Sequence, residues 1–278
     1  MRTLCLTQPN LCGGDAVRWQ QFLAGRGLFA SRVDGVFGHL SDQATRTYQT
    51  NSRIDAGGVV DAATLSQAAN DGFAGLGTPG MDAMMNCAPF ASRLAGAGVQ
   101  FVARYYSRFA AKAMTAAEAN ALAQAGLQLV VVYQDAGDSI ASFGADMGRQ
   151  NATAALAQAS ALGQPAGSAI YFSADFDPNA VQIAGPLTDH FRAINDVFAA
   201  SATPYRVGVY GSGLMCATMR DAGLVQLTWL SQSTGFTNWI TFCPHANIVQ
   251  SAPSRNLVGV SIDDDIAQTG DFGQFRLG

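Results

Sequence analysis

The stretch 169–177, AIYFSADFD, is the strongest indication of the fold of this chain. Its first residues form an apolar run that predicts a buried strand, and two carboxylates, Asp175 and Asp177, follow two positions apart. Side chains of a strand alternate between its two faces, so residues i and i+2 point the same way. The pattern therefore predicts a strand that brings two carboxylates to one place at its C-terminal end. The alternative is a strand end capped by solvated aspartates.

Seven further strand patterns accompany this stretch, and helical patterns separate most of them. The candidate strands are 80–84, 99–106, 127–135, 169–177, 205–211, 227–232, 246–251 and 258–266, and the candidate helices are 89–97, 115–125, 142–163, 185–200 and 212–222. Apolar strands that alternate with helices favour an α/β fold, a (β/α)8 TIM-like barrel, over an open doubly wound sheet. The connections after the sixth and seventh strands are too short or irregular for full helices, so we expect a compact barrel with a degenerate last third.

Polar residues at the C-terminal ends of barrel strands converge on one face. Among them we expect Asp82, Asp175 and Asp177 to be catalytic. The expected substrate-binding residues are Tyr106, Tyr133, Gln134, Tyr210, Trp229, Gln232 and Asp263. Carboxylates for acid and base chemistry, aromatic faces for pyranose rings and amides for hydroxyls together favour a sugar site. Core packing is the alternative for Tyr210 and Trp229, and we expect Asp264 and Asp265 to be solvated turn residues.

Composition narrows the classes of function. The chain has 278 residues, 49% of them hydrophobic and only 13% charged, with a formal net charge of −4. It has no block of Lys or Arg, so we expect no nucleic-acid partner, and no apolar run reaches the ~18 residues of a membrane span. Its first residues lack the apolar core of a secretory signal peptide, which predicts synthesis in the cytoplasm without such a signal.

The residues that usually hold metals or act as general acids are sparse. Five cysteines and three histidines show neither zinc spacing nor a disulfide framework, so we expect no metal and no cofactor, and we expect a monomer. The chain contains a single glutamate, Glu118, three residues after Thr115, in the arrangement of a helix capping box. Carboxylate chemistry is therefore expected to use aspartates.

Residues 15–70 predict three short helices: one from Asp15 to Arg26, one capped by Ser41, and one carrying Leu65. The motifs W-Q-x-x-L-x-x-x-G, D-G-x-F-G, A-T-R-T-Y-Q and G-V-V-D-x-x-T occur there in order. They resemble the peptidoglycan-binding domain 1 family, which implies a small helical module that holds cell-wall peptidoglycan. The resemblance implies contacts near the D-G-x-F-G loop, at Asp34, Gly35, Phe37 and Gly38. Shaping of the turn is the alternative role of these residues.

The predicted organisation has three parts. Residues 1–70 form the peptidoglycan-binding helical domain, the Gly-rich segment 71–79 is a linker, and residues 80–278 form the barrel.

The barrel segment also resembles a known family. It is similar to the glycoside-hydrolase-like domain found beside cell-wall-binding modules. The similarity lies in six motifs: G-M-D at 80–82, R-Y-Y at 104–106, Y-F-S-A-D-F-D at 171–177, G-V-Y-G at 208–211, W-L-S-Q at 229–232 and S-I-D-D-D at 261–265. They are more distantly similar to family 25 glycoside hydrolases, which are lysozyme-type muramidases. Muramidases of this kind carry Asp-x-Glu on the fourth strand, where this chain has Asp175-Phe176-Asp177. The resemblance implies that Asp177 is the general acid and that Asp175 is the stabilising carboxylate. The side chain of Asp177 is one methylene shorter than the glutamate of the muramidases, so its carboxyl group would lie farther from the substrate.

Three functions remain open at this point. The first is a peptidoglycan hydrolase that cuts glycan strands, and the second is a non-catalytic peptidoglycan-binding protein with a degenerate barrel. The third, an amidase or peptidase, would need a zinc site or a Cys–His pair. A wall target without a signal peptide implies a phage-type endolysin, or an antibacterial effector injected by a machine such as type VI secretion. An effector would be paired with a periplasmic immunity protein that plugs the acidic cup.

Overall fold

The structure is a computed structural model and describes residues 2–277. Its strands are β1 (Leu11–Cys12), β2 (Val36–Phe37), β3 (Thr78–Asp82), β4 (Phe101–Tyr106), β5 (Gln128–Tyr133), β6 (Ala169–Ser173), β7 (Arg206–Gly211), β8 (Leu227–Leu230), β9 (Ile248–Leu257) and β10 (Val260–Ala267). Its α-helices are α1 (Gly14–Gly25), α2 (His39–Asn51), α3 (Ala62–Asn70), α4 (Ala91–Gly96), α5 (Ala116–Gln124), α6 (Ala145–Leu162), α7 (Ala180–Gln182), α8 (Thr188–Ala199), α9 (Gly213–Asp221) and α10 (Trp239–Phe242). A π-helical turn, Ile183–Leu187, joins α7 to α8, and 3-10 turns lie at Ala88–Phe90, Ile140–Ser142 and Cys243–His245. Within residues 2–277, no helix has the length and apolarity required to cross a membrane.

Strands β3 to β10 close into a barrel in sequence order, because β10 pairs with both β9 and β3. All eight strands predicted between residues 80 and 266 are present. Neighbouring strands from β3 to β9 are parallel, but β10 is antiparallel to both of its neighbours. The reversal follows from the two residues between β9 and β10, Val258 and Gly259, since a parallel crossover needs a dozen or more. Both have positive φ, 49° and 99°, as a tight hairpin turn requires.

The barrel interior is filled by alternate strand residues, among them Phe101, Tyr171 and Trp229. Two glycines make room for these rings: a Cβ on Gly80 would lie 2.3 Å from the ring of Phe101, and one on Gly208 would lie 2.5 Å from Tyr171. The opposite strand faces pack against the helices in a second, larger apolar layer. Because the interior is packed, the open space of the barrel is confined to its C-terminal end.

The three predicted N-terminal helices are present as α1, α2 and α3, with a core that includes Trp19, Phe37 and Tyr48. Trp19 Nε1 donates to Thr45 Oγ1 at 2.9 Å inside this core. The prediction that Ser41 caps the second helix is wrong, because α2 begins at His39 with Gly38 as its cap. Ser41 lies inside the helix and accepts a hydrogen bond from Gln20.

These helices are attached to the barrel by a strand pair and a buried ion pair. Strand β1 pairs with β9 through Cys12 and Ala252. Arg2 forms an ion pair with Asp15 at 2.8 Å and donates to Ala252 O at 2.7 Å. The structure therefore shows three helices joined to the barrel and does not show a separate N-terminal domain. The boundaries 1–70, 71–79 and 80–278 stay a prediction.

The sole glutamate stabilises the barrel from outside. Thr115 accepts a hydrogen bond from Glu118 N, so the predicted helix cap is present. The Glu118 carboxylate does not complete a capping box; it forms an ion pair with Arg104 at 2.6 Å, and both side chains are 1% exposed. Arg104 therefore points away from the barrel interior.

Candidate active site

A cup opens at the C-terminal ends of the parallel strands. It is lined by Asp82, Tyr105, Val132, Gln134, Ser173, Asp175, Tyr210, Trp229 and Gln250. Each of β3 to β8 contributes at least one of these residues near its C-terminal end or just after it, and β9 contributes Gln250, its third residue. This is the end of a TIM-type barrel at which catalytic groups gather.

Three carboxyl groups meet on the β3–β10 side of the cup. Asp82 and Asp263 are direct neighbours in the antiparallel register, and Asp265 lies two residues further along β10. Gln250 Nε2 donates to Asp82 Oδ2 at 2.7 Å and to Asp263 Oδ2 at 3.1 Å. Asp82 also forms a side-chain hydrogen bond with Asp265. The amide thus holds two of the carboxyl groups in place, and Asp82 contacts the third.

Asp82 and Asp265 both have pKa values above the usual range of an aspartate. Burial, with the charge of Asp263, raises the pKa of Asp82 to about 7. Burial, with the charge of Asp82, also raises the pKa of Asp265 well above its usual range. Oδ2 of Asp265 is buried without a hydrogen-bond partner among residues 2–277, an environment that favours the protonated form of the carboxyl group. The pair is therefore a candidate proton donor.

The surrounding hydrogen bonds fix the orientation of this pair. Gln250 Oε1 accepts from Tyr210 Oη at 2.8 Å and from Gln232 N at 3.1 Å, so its amide nitrogen must face the carboxyl groups. Trp229 Nε1 donates to Asp265 Oδ1 at 2.9 Å. Trp229 is 1% exposed, so it lines the cup mainly as a support for Asp265.

Asp175 supplies a carboxylate at the mouth of the cup. Its backbone N–H donates to Gly137 O at 2.8 Å, and its side chain is hydrogen-bonded to Gln134. Partial withdrawal from water raises the pKa of Asp175, while Gln134 and Lys112 oppose the rise. Lys112, the only lysine of the chain, donates to Gln134 Oε1 at 3.0 Å and lies 4.1 Å from the centre of the Tyr105 ring. Among residues 2–277, no carboxyl group is in hydrogen-bond contact with Asp175.

Asp177 lies outside the residues that line the cup. Strand β6 ends at Ser173, so the alternation expected to align Asp175 with Asp177 does not continue that far. Both oxygens of Asp177 accept from Thr237 N at 3.0 Å, and Oδ2 also accepts from Thr237 Oγ1 at 2.8 Å. Asp177 therefore holds the loop before α10, and its catalytic role stays a prediction.

Of the predicted substrate-binding residues, Gln134, Tyr210 and Trp229 line the cup. Asp263 lines an adjoining groove, and Gln232 contributes its backbone N–H. Tyr106 and Tyr133 instead point into the outer layer, where Tyr106 Oη donates to Gln164 Oε1 at 2.8 Å and Tyr133 Oη donates to Asp135.

Sequence reasoning placed Gln250 at this end of the barrel but missed Tyr105, Ser173 and Asp265 as site residues. Counting alternate positions from Phe101 would have placed Tyr105 inside. In the S-I-D-D-D motif, the same count places Asp263 and Asp265 on one face. The expectation that Asp264 and Asp265 are solvated turn residues is wrong: both are buried in β10, and Asp264 pairs with Arg255 at 2.6 Å.

The predicted contacts of the N-terminal helices have structural partners. Asp34 accepts from Gln20 Nε2 at 2.8 Å and from Val36 N at 2.9 Å. Gly35 has a φ of 69°, and a Cβ there would lie 3.1 Å from the ring of Trp239. Phe37 is fully buried, and Gly38 is the cap residue of α2. Their role in binding peptidoglycan stays a prediction.

Comparison with known proteins identifies the family of the barrel. A family model described as the Rv2525c-like, glycoside hydrolase-like domain matches residues 92–267, more than half of the chain. The chain belongs to this family. The match begins after Asp82 and covers neither β3 nor α1 to α3.

Two solved structures and one curated sequence are similar to this Rv2525c-like chain. The crystal structure of the Tat-secreted protein Rv2525c from Mycobacterium tuberculosis, in complex with L-tartrate, is 25% identical with a TM-score of 0.60, covering 71% of this chain and 98% of that one. An uncharacterized Bacillus stearothermophilus protein, 14% identical with a TM-score of 0.51 over 69% of this chain and 96% of its own, shares the fold alone. The uncharacterized protein YbfG of Bacillus subtilis (strain 168) is 34% identical over 119 residues, which are 41% of this chain and only 16% of YbfG.

Proposed function

We propose that this chain hydrolyses glycosidic bonds in peptidoglycan glycan strands. The observation that carries the proposal is the carboxyl group of Asp82, whose pKa is raised by burial and which lines the same cup as Asp175, with Asp265 buried behind it. Glycoside hydrolysis uses one carboxyl group as acid and a second carboxylate near the sugar. Two carboxyl sites with different environments provide both states at one pH.

The proposed reaction assigns one role to each carboxyl site. Asp82 gives its proton to the glycosidic oxygen as the bond to the anomeric carbon breaks. The Asp175 carboxylate stabilises the positive charge that develops at that carbon. Water then adds to the anomeric carbon, and its proton returns to the Asp82–Asp265 pair. A donor whose pKa lies at about 7 transfers a proton efficiently near neutral pH.

The proposed donor is Asp82 rather than Asp177. Both oxygens of Asp177 already accept hydrogen bonds from Thr237, and Asp177 is not among the residues that line the cup. Asp82 is 4% exposed and lines the cup, in the environment that keeps a carboxyl group protonated.

Peptidoglycan as the substrate is supported by two independent features. The motifs of residues 15–70 resemble peptidoglycan-binding modules, and the barrel belongs to a glycoside hydrolase-like family. Tyr105 and Tyr210 line the cup and provide partly exposed aromatic surface for a sugar ring. A wall-binding module beside the barrel would raise the local concentration of substrate.

The test is digestion of purified peptidoglycan sacculi, followed by mass spectrometry of the released fragments. Wild-type chain is expected to release fragments with new reducing ends, and Asp82→Asn and Asp175→Asn are expected to abolish release. Asp177→Asn is expected to retain activity, because it changes only the loop contact. Asp196→Asn, an exposed residue on α8, is the matched control. Sacculi that bind wild-type chain yet release nothing would refute the proposal and favour a binding-only protein.

The wall-binding role of the N-terminal helices is tested separately. A groove there is lined by Leu28, Phe29, Ala30, Ser31, Leu40, Gln43, Ala44 and Thr47, and Leu40 is 58% exposed. Leu40→Ser is expected to weaken co-sedimentation of the chain with sacculi. Val181→Ser, which changes an exposed apolar residue on α7, is the control. Equal sedimentation of both variants would argue against binding through this groove.

A further inference from the structure

A second groove runs beside the cup and joins it. It is lined by Asp82, Ala83, Met84, Met85, Tyr105, Ser254, Ser261, Ile262 and Asp263. Asp82 and Tyr105 belong to both linings, so a ligand in the cup can extend directly into the groove. The groove is open to solvent and is roomier than the cup.

One wall of the groove is a loop held in place by buried charge. Met84 and Met85 are 67% and 42% exposed, which is unusual for large apolar side chains. Arg104 Nη1 donates to Ala83 O at 2.6 Å and to Met84 O at 3.1 Å. At the other end of the loop, Cys87 N donates to Glu118 Oε1 at 2.8 Å. Since the buried Arg104–Glu118 pair anchors both ends, the methionines are presented on a fixed backbone.

The other wall is the projecting end of the β9–β10 hairpin. Strand β3 pairs with β10 only as far as Asp82 and Asp263, whereas β9 and β10 remain paired out to Leu257 and Val260. The hairpin therefore extends past the rim of the barrel and places two hydroxyl groups, those of Ser254 and Ser261, in the groove. Asp263 forms no ion pair among residues 2–277, so its carboxylate is available to a cationic ligand group.

We propose that this groove binds a peptide branch bearing a primary amine, carried by the glycan whose sugar occupies the cup. The proposal rests on the proposed glycan-hydrolase function and names a further part of its substrate. The only aromatic ring of the groove, Tyr105, is shared with the cup, so the groove lacks a sugar-stacking surface of its own. Methionine side chains adapt to irregular apolar groups such as the methyl groups of a peptide. The Asp263 carboxylate pairs with the ammonium group.

The groove is tested by equilibrium binding, which does not depend on turnover. Isothermal titration would compare a purified disaccharide with an amine-bearing stem peptide against the same disaccharide without the peptide. Wild-type chain is expected to bind the peptide-bearing form about tenfold more tightly, which corresponds to about 1.4 kcal/mol. Acetylation of the peptide amine is expected to reduce this advantage several-fold, because it removes the charge that faces Asp263.

A double variant, Met84→Ser with Met85→Ser, is expected to remove most of the advantage while leaving affinity for the bare disaccharide unchanged. Both residues are exposed, so the variant is expected to keep the thermal midpoint of the wild type. Val181→Ser is again the control. Equal affinity of wild-type chain for both ligands, or an advantage that survives in the double variant, would overturn the proposal. Peptide-dependent binding without any cleavage would instead overturn the hydrolase function and leave the groove assignment standing.

Discussion

Removal of the Glu118 carboxylate is expected to destabilise the chain severely. Glu118→Ala would leave the Arg104 guanidinium, 1% exposed, with only backbone carbonyl groups as partners. Breaking a buried ion pair from one side costs about 3–5 kcal/mol, because an uncompensated charge stays buried. A change of 1 kcal/mol shifts the thermal midpoint by ~2–4 °C in domains near this size, so a fall of roughly 6–20 °C is expected.

Equilibrium unfolding in urea, monitored by circular dichroism, measures this loss as a change in midpoint at constant slope. The matched control is Asp271→Ala, which breaks the Arg206–Asp271 pair of the same 2.6 Å length at 30% and 65% side-chain exposure. That solvated pair is expected to contribute ~1 kcal/mol or less. If Glu118→Ala and Asp271→Ala lowered the free energy of unfolding equally, the buried pair would not be the anchor of the Met84–Met85 loop.

Three further outcomes follow from the site and the barrel. Ser173 Oγ is buried in the cup without a hydrogen-bond partner among residues 2–277. Ser173→Ala is therefore expected to leave the thermal midpoint unchanged or higher and to weaken ligand affinity. A lower midpoint would show that the hydroxyl group makes a stabilising hydrogen bond. The pKa of Asp82 rises from 3.8 to about 7 on folding, so the folded state keeps a proton that the unfolded state releases. The free energy of unfolding should therefore fall as the pH rises from about 4 through about 7, and urea titrations should show a weaker fall in Asp82→Asn. Gly80→Ala would place a Cβ 2.3 Å from the Phe101 ring, and a loss of about 1–3 kcal/mol is expected in the same titration; an unchanged midpoint would mean that the interior can repack.

The barrel could be predicted because each of its strands is a short apolar run separated from the next by a recognisable helix or turn. The orientation of single residues was harder to predict. In β4, both faces are covered, since one face fills the barrel and the other packs under helices. Without a polar face there is no alternation to set the register. Tyr106 was therefore predicted in place of Tyr105.

The burial of Asp265 could not be predicted from the sequence for a different reason. Three consecutive aspartates, Asp263 to Asp265, are typical of a solvated turn, and only their tertiary neighbours make the burial of Asp265 tolerable. Those neighbours, Asp82 and Trp229, come from strands far away in the sequence. Asp177 shows the converse: its spacing from Asp175 indicates a shared site, but β6 ends before either residue.

The most direct test of the central claim is digestion of sacculi in water enriched in heavy oxygen, with mass spectrometry of every released fragment. Hydrolysis of a glycosidic bond places the label at a new reducing end, and this is the expected result, lost in Asp82→Asn. Label in a newly formed carboxyl group, on the sugar's lactyl group or within the peptide, would identify an amidase or a peptidase. Fragments without label, or no fragments from sacculi that hold the protein, would contradict the assignment of the cup as a glycan-hydrolase site.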